Sequence, residues 1–418
     1  MKTFLLVEPD FPIAHKSKNH KDFLPIGLLK IASYLRGQGH EVLLVRGIGK
    51  PITNYGSPAQ MPPDEVWVTS LFTYWASQVR EAVQYYKALF PQAVVRVGGI
   101  YASLRPKEEV MQFTGCDQVH RGVLPTVENY ASDHFPAYDL IEAANPHPID
   151  YQILHASRGC PRKCPFCGTW TIEPEFVPKK TVNNEIRRSK LIFYDNNFLM
   201  NPHIEAILEE LMTLRKDGQI AWVESQSGLD GRVLLKKPHL ASMLRDVGFR
   251  YPRIAWDWGY EQVSSVERQL DILLDAGYPP RDIFVFMLYN YELPFEELEK
   301  KRLKCWEWGV QIVDCRYRPL DQLHDDYSPY KRSQSGSAYY IHPSWTDQSV
   351  RAFRSNVRRH NICIRYRLSF YSRDLEKKRV HKKLAGRLRK LKDKSKIANL
   401  LDDKELDYWF PDEPHVTR

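Results

Sequence analysis

Short apolar runs, each closed by charged or turn-forming residues, alternate along this chain with longer stretches whose apolar positions recur every three or four residues. The runs at 3–7, 41–45, 65–69 and 93–97 predict four β-strands. Between them, residues 25–36 and 75–90 carry the spacing of amphipathic helices, the first stopped by Gly37 and Gly39. Residues 133–150 hold three prolines and little periodicity, so they read as a linker around 136–150. The alternation then resumes. Strands are predicted at 152–156, 190–194, 220–224, 253–257, 282–288 and 310–314, with helical stretches at 203–215, 240–247, 263–275 and 295–308 among them. Strands alternating with helices imply parallel sheets, which bind ligands in the loops at the carboxyl ends of their strands. In the first half those loops are residues 8–24, 70–74 and 98–103.

A chain of 418 residues that is 43% hydrophobic can build two or three cored domains. The apolar start at residues 1–7 imitates a secretion signal, but Glu8 and Asp10 end it too soon, and it reads better as a strand. No apolar run reaches the ~18 residues that would span a membrane. The seven cysteines are odd in number and three are clustered, which fits a reducing, cytoplasmic setting better than a disulfide scaffold.

Those three are the chemistry-bearing feature: Cys160, Cys164 and Cys167 fall within eight residues as C-x3-C-x2-C, preceded by His155 and enclosing Phe166. Structural zinc and electron-transfer 4Fe-4S clusters both want four protein ligands. Three thiolates leave one metal position open to a substrate or cofactor, unless His155 serves as a fourth ligand in a zinc knuckle.

With its aromatic at Phe166, the motif resembles that of the radical S-adenosylmethionine (SAM) family, C-x3-C-x-aromatic-C. The resemblance implies a 4Fe-4S cluster on Cys160, Cys164 and Cys167, SAM chelated to the fourth iron, and an electron donor such as flavodoxin or ferredoxin. Tyr194-Asp-Asn-Asn-Phe198 is similar to a segment that contacts SAM in that family, so Asp195, Asn196 and Asn197 join Phe166, Gln226 and Asp257 as expected SAM contacts. The fifth strand ends in residues 288–294 without the Gly-x-Pro-Gly-type turn of relatives. Residues 24–35, 97–101 and 117–122 look like the cobalamin-binding-type domain preceding the barrel in one subclass, with Gly98 and Gly99 as expected cobalamin contacts. The D-x-H-x-x-G motif is absent, and a Gly-Gly pair after a strand also makes a tight turn. The implied fold is α/β: a doubly wound, Rossmann-like domain over 1–135, a partial (β/α)6 radical SAM barrel over 151–320, and a basic, mainly helical C-terminal region over 321–418. Only Cys116 lies in the first domain, and Cys305, Cys315 and Cys363 are scattered, which argues against second clusters. The expected activity is carbon-radical chemistry, methyl transfer if cobalamin is bound.

The net charge of +9 is unevenly placed. Residues 351–418 carry 20 Lys and Arg against 9 Asp and Glu, whereas 1–350 carry 40 against 42. Within 351–396 the aromatics Phe353, Tyr366, Phe370 and Tyr371 are interleaved with the basic residues, a composition that suits nucleic acid through phosphate contacts and base stacking. A solvated helix is the other reading, since Leu375, Leu384, Leu388 and Leu391 recur at near-helical spacing, and residues 402–413 supply acid that could fold back on the basic face. The rival function is therefore a nucleic-acid-binding protein with a structural metal.

Overall fold

The computed structural model describes residues 1–12, 24–49, 62–127, 135–142, 149–377, 381–391, 393–404 and 406–408. Most of the 8–24 loop, part of the expected linker and half of the acidic end lie outside the described residues. The chain divides into two compact units: residues 1–196, 201–221 and 318–326, and residues 197–200, 222–317 and 327–418.

The first unit is built on a parallel five-stranded sheet in the order β2-β1-β3-β4-β5, from β1 (Thr3–Glu8), β2 (Glu41–Arg46), β3 (Glu65–Ser70), β4 (Val94–Gly99) and β5 (Gln118–Val119). β1 is buried at every position, as its unbroken apolar run requires of a strand covered on both faces. β3 alternates half-buried and buried residues. The helices Ile26–Gly37 and Ala76–Leu89 fall where their periodicity predicts. Leu5, Val7, Val66, Val68, Val95, Val97 and Tyr86 form the centre of the core.

Within the expected linker the described residues 135–142 are packed: Tyr138 is buried and its Oη accepts from Ile153 N at 2.9 Å. There β6 (Gln152–Leu154) begins, and it pairs in parallel with β9 (Lys190–Phe193). Between them a two-residue antiparallel hairpin, β7 (Ser157–Arg158) with β8 (Val177–Pro178), closes a loop that holds the three cysteines.

The second unit contains β10 (Trp222–Ser225), followed by β11 (Arg253–Ala255), β12 (Phe284–Tyr289) and β13 (Gln311–Arg316), the last three paired in parallel in chain order. The isolated parallel bridges Val223–Phe249 and Leu229–Ile254 continue the same strand-then-helix logic. Helices at Val263–Asp275 and Phe295–Glu307 match the periodicity. The edge of β13 is covered by the helix Asp347–Tyr366: Asn361 brackets Ile312, accepting from its N–H at 2.8 Å and donating to its carbonyl at 2.7 Å. A helix laid along an edge strand hides it from pairing with another chain.

The basic segment is not one long helix. It breaks into Asp347–Tyr366, Arg373–Glu376, Lys382–Leu388 and Lys394–Ala398 around a small core of Leu375, Leu388, Ile397 and Cys363, with Leu384 and Leu391 partly buried against it. Two more strands, β14 (Phe370–Tyr371) and β15 (Asp407–Tyr408), pair antiparallel there.

Candidate functional site

In the first unit the cysteine loop leaves the carboxyl end of β6 and is braced at its base by two carboxylates. Asp195, which follows β9, is fully buried; its oxygens accept from Ala156 N at 3.0 Å, Ser157 N at 2.5 Å and Ser157 Oγ at 2.7 Å. Burial pushes this carboxyl up to about 6 despite those bonds. Asp195, expected as a SAM contact, is thus placed as the anchor of the strand that enters the loop. Glu173 closes the other side, accepting from Arg158 Nη2 and Gly159 N, both at 2.5 Å, and from Asn196 Nδ2 at 3.2 Å. The exposed Asn196 thereby lies against the loop, and its Oδ1 accepts from Thr169 Oγ1 at 3.4 Å.

Gly159 adopts φ +73°, and a β-carbon there would lie 2.1 Å from the Glu175 carbonyl oxygen. The residue before the first cysteine is therefore glycine because the loop's two ends touch backbone to backbone. Cys160, Cys164, Phe166 and Cys167 are all half-buried, and none of the seven cysteines is in a disulfide. Arg162 N donates to Cys160 Sγ at 3.4 Å, Cys167 N to the Cys164 carbonyl at 3.1 Å, and Trp170 Nε1 to the same carbonyl at 3.2 Å. Among the described residues no group of three or more His, Cys, Asp or Glu side chains is gathered closely enough to hold a metal ion. Three half-buried cysteines on one short loop are donors of the kind an iron–sulfur cluster takes, one already receiving a backbone N–H, but their side chains are not drawn together. The Nδ1 of His155, the other candidate ligand, has no hydrogen-bond partner among the described residues. The ring is buried, its Nε2 accepts from Arg158 Nη1 at 2.7 Å, and desolvation, with Arg158, Lys30 and Lys179 nearby, holds it well below its ordinary pKa.

A cavity of about 290 Å³ in the same unit opens at the carboxyl ends of β3 and β4. Its wall includes Ser70, Gly98, Gly99 and His120, and it shares Arg158 and Glu173 with the base of the cysteine loop. Gly99 has φ +98° and approaches Ser70 so closely that a β-carbon would sit 2.2 Å from the Ser70 carbonyl oxygen, so the tight-turn reading explains it. Gly98 has ordinary room for a β-carbon, 3.9 Å from His120. His120 Nε2 is bonded to the Val123 carbonyl at 3.3 Å.

The second unit holds Asn197, Gln226 and Asp257. Asn197 is buried and donates to Asp230 at 3.3 Å, which is itself paired with Arg232 at 2.9 Å. Gln226 is half-buried just past β10. Asp257 follows β11 and makes no hydrogen bond or ion pair among the described residues; burial pushes its carboxyl up to about 6, opposed by Lys301 and Arg232. Lys301, fully buried, holds the backbone on both sides of it, donating to the Trp256 carbonyl at 2.5 Å and the Trp258 carbonyl at 2.8 Å. Desolvation pushes this amine down to about 8.

No family model and no curated protein matches the chain. Among solved structures, a cobalamin-binding protein from Desulfitobacterium hafniense DCB-2 is similar over 28% of this chain at 18% identity, with a TM-score of 0.19. The chain covers 52% of that protein, about half its length. So loose a superposition identifies neither a family nor a fold.

Sequence reasoning missed Glu173, Arg158 and Lys301. Lone charged residues in loops or on helices carry no motif, and Lys301 shares its burial with Glu299 and Arg302 on a helix that reads as mostly charged. Among the described residues, no helix is long and apolar enough to cross a membrane.

Proposed function

We propose that this protein is a radical SAM enzyme. The observation that carries the reading is the three-cysteine loop at the carboxyl end of a parallel strand, braced at both ends by Asp195 and Glu173 and offering three half-buried thiols without a fourth cysteine. Cys160, Cys164 and Cys167 would hold a 4Fe-4S cluster, which when bound would supply the one electron that breaks the C5′–S bond of SAM into methionine and a 5′-deoxyadenosyl radical. Asp195 and Glu173 fix the loop, and Asn196 and Phe166 lie on it or beside it. Asn197, Gln226 and Asp257 are assigned to SAM on the family resemblance. Asp257, a carboxyl that makes no hydrogen bond among the described residues, is suited to accept one from an ammonium or hydroxyl. The partial (β/α)6 barrel belongs to the same proposal.

Anaerobic reconstitution with iron and sulfide tests this. The wild type should turn brown and hold about four irons per chain, and alanine at any one of the three cysteines should lose them. A colourless protein that takes zinc and no iron would contradict the reading and favour a structural metal in a nucleic-acid-binding protein.

The cavity beside the loop is assigned, on the same resemblance, to part of a cobalamin. At about 290 Å³ it lies at the small end of ligand sites, room for one arm of so large a molecule. No histidine stands in a cobalt-ligating motif, and His120 is occupied by Val123, so cobalamin should bind without a protein imidazole on cobalt. Co-elution of hydroxocobalamin on anaerobic gel filtration is the expected result. Its absence would remove methyl transfer from the reading and leave the cavity to another small ligand.

A further inference from the structure

The basic segment separates into two parts with different electrostatics. On Asp347–Tyr366 four of the five arginines are engaged by the fold: Arg351 pairs with Asp347 at 2.8 Å, Arg354 with Asp314 and Arg358 with Glu376, and Arg359 lies over the Tyr371 ring, while Arg365 is exposed. Lys382–Leu388 and Lys394–Ala398 differ. Lys382, Lys383, Arg387 and Lys390 are exposed and have no acidic partner among the described residues, and Lys396 is exposed with its charge offset in part by Asp393. The one acidic residue between these two helices, Asp393, is engaged in capping the second, accepting from Ser395 N at 2.9 Å and Ser395 Oγ at 2.7 Å. Four unneutralised cations on Lys382–Leu388 and the turn that follows it, with Lys396 on the next helix, repel one another. Fold stability gives no reason for them, because like charges on one surface destabilise it.

The same packing decides what the patch can bind. Phe353, Phe370 and Tyr371 are buried and Tyr366 is half-buried, so the aromatics that sequence alone offers for base stacking are spent in the core. A membrane surface would require an exposed apolar face beside the charges. Here Ala385, Leu388 and Ile397 face the core of the C-terminal region and are buried. What remains is a polar, cationic surface matched to closely spaced, sequence-independent negative charge.

We propose that the surface formed by Lys382–Leu388 and Lys394–Ala398 binds the sugar-phosphate backbone of double-helical nucleic acid without reading or stacking bases. Each phosphate neutralised on a duplex contributes about −0.9 to the slope of log affinity against log salt, so five contacts give about −4.5. Between about 50 and about 200 mM salt that slope lowers affinity about 500-fold.

The test uses the full chain and fluorescence anisotropy with two labelled duplexes of unrelated sequence, a single strand of equal length, poly-glutamate and phosphatidylserine vesicles. The expected result is equal affinity for the two duplexes, weaker binding of the other probes, and a slope near −4.5. Replacing Lys382, Lys383, Arg387 and Lys390 by Gln should bring the slope toward about −1, with an unchanged urea midpoint because all four side chains are exposed. Unchanged duplex binding in that variant would overturn the proposal, as would tighter binding of the single strand, the acidic polypeptide or the vesicles. None of these readouts depends on iron or SAM, so the outcome is independent of the enzymatic reading.

Discussion

Replacing Gly159 by Ala probes the cysteine loop at its tightest point. Two costs are legible in the structure. The residue sits at φ +73°, a left-handed conformation that costs an L-residue with a β-carbon about 1–2 kcal/mol. The added methyl would also lie 2.1 Å from the Glu175 carbonyl oxygen and 3.2 Å from that of Glu173. Those atoms are backbone, held by the β7–β8 pairing and by the Glu173 bond to Gly159 N, so relief requires the loop to move, at a typical overpacking cost of about 1–3 kcal/mol. The sum is about 2–5 kcal/mol. Gly115 supplies the control: its φ is +79° and nothing lies within 4 Å of a β-carbon placed there, so Gly115→Ala should cost only the conformational part. Urea unfolding of the metal-free protein measures both, read as a shift of midpoint at constant m. Iron uptake on reconstitution should fall in the Gly159 variant and be retained in the Gly115 variant. Equal destabilisation by the two substitutions, or unimpaired iron uptake by Gly159→Ala, would refute the claim that the loop's backbone closure sets the cysteine geometry.

Asp195→Asn should change the pH dependence of stability. Because the folded carboxyl lies near 6, above its ordinary 3.8, its contribution is greatest at about pH 4 and below and is lost as pH rises to about 6. The stability of wild type relative to the variant should therefore fall by about 3 kcal/mol between about pH 4 and pH 7; a parallel pair of curves would contradict the assignment. Lys301→Met acts with the opposite sign. An amine depressed from 10.5 to about 8 makes the wild type more stable as pH rises through that window, and the variant should lose this rise; an unaltered profile would mean that Lys301 is not buried as a cation.

The strands were legible because each is a short apolar run cut off by charge. Thr3–Glu8 and Phe284–Tyr289 lie within two residues of their expected positions, and the helix Val263–Asp275 lies where its periodicity put it. The cysteine spacing was equally plain. What escaped was structure made of contacts rather than pattern. The β7–β8 hairpin has two residues per strand, too few to show alternation, yet it closes the loop. Asp195 followed a strand as a ligand contact should, and its bonds to Ala156 and Ser157 give it an anchoring role that no pattern announces. In the basic segment the leucine spacing was real, but Leu375 and Leu388 belong to different short helices that fold around a shared core, not to one continuous stripe.

The central claim is tested most directly by 5′-deoxyadenosine. The anaerobically reconstituted, reduced protein is incubated with SAM, and the nucleoside is quantified for the wild type and for alanine variants of Cys160, Cys164 and Cys167, with Cys116, Cys305, Cys315 and Cys363 variants as controls. The account predicts 5′-deoxyadenosine from the wild type and the four controls and none above background from the three loop variants. Undiminished formation in any one loop variant, or none from a wild type carrying its full complement of iron, would contradict it.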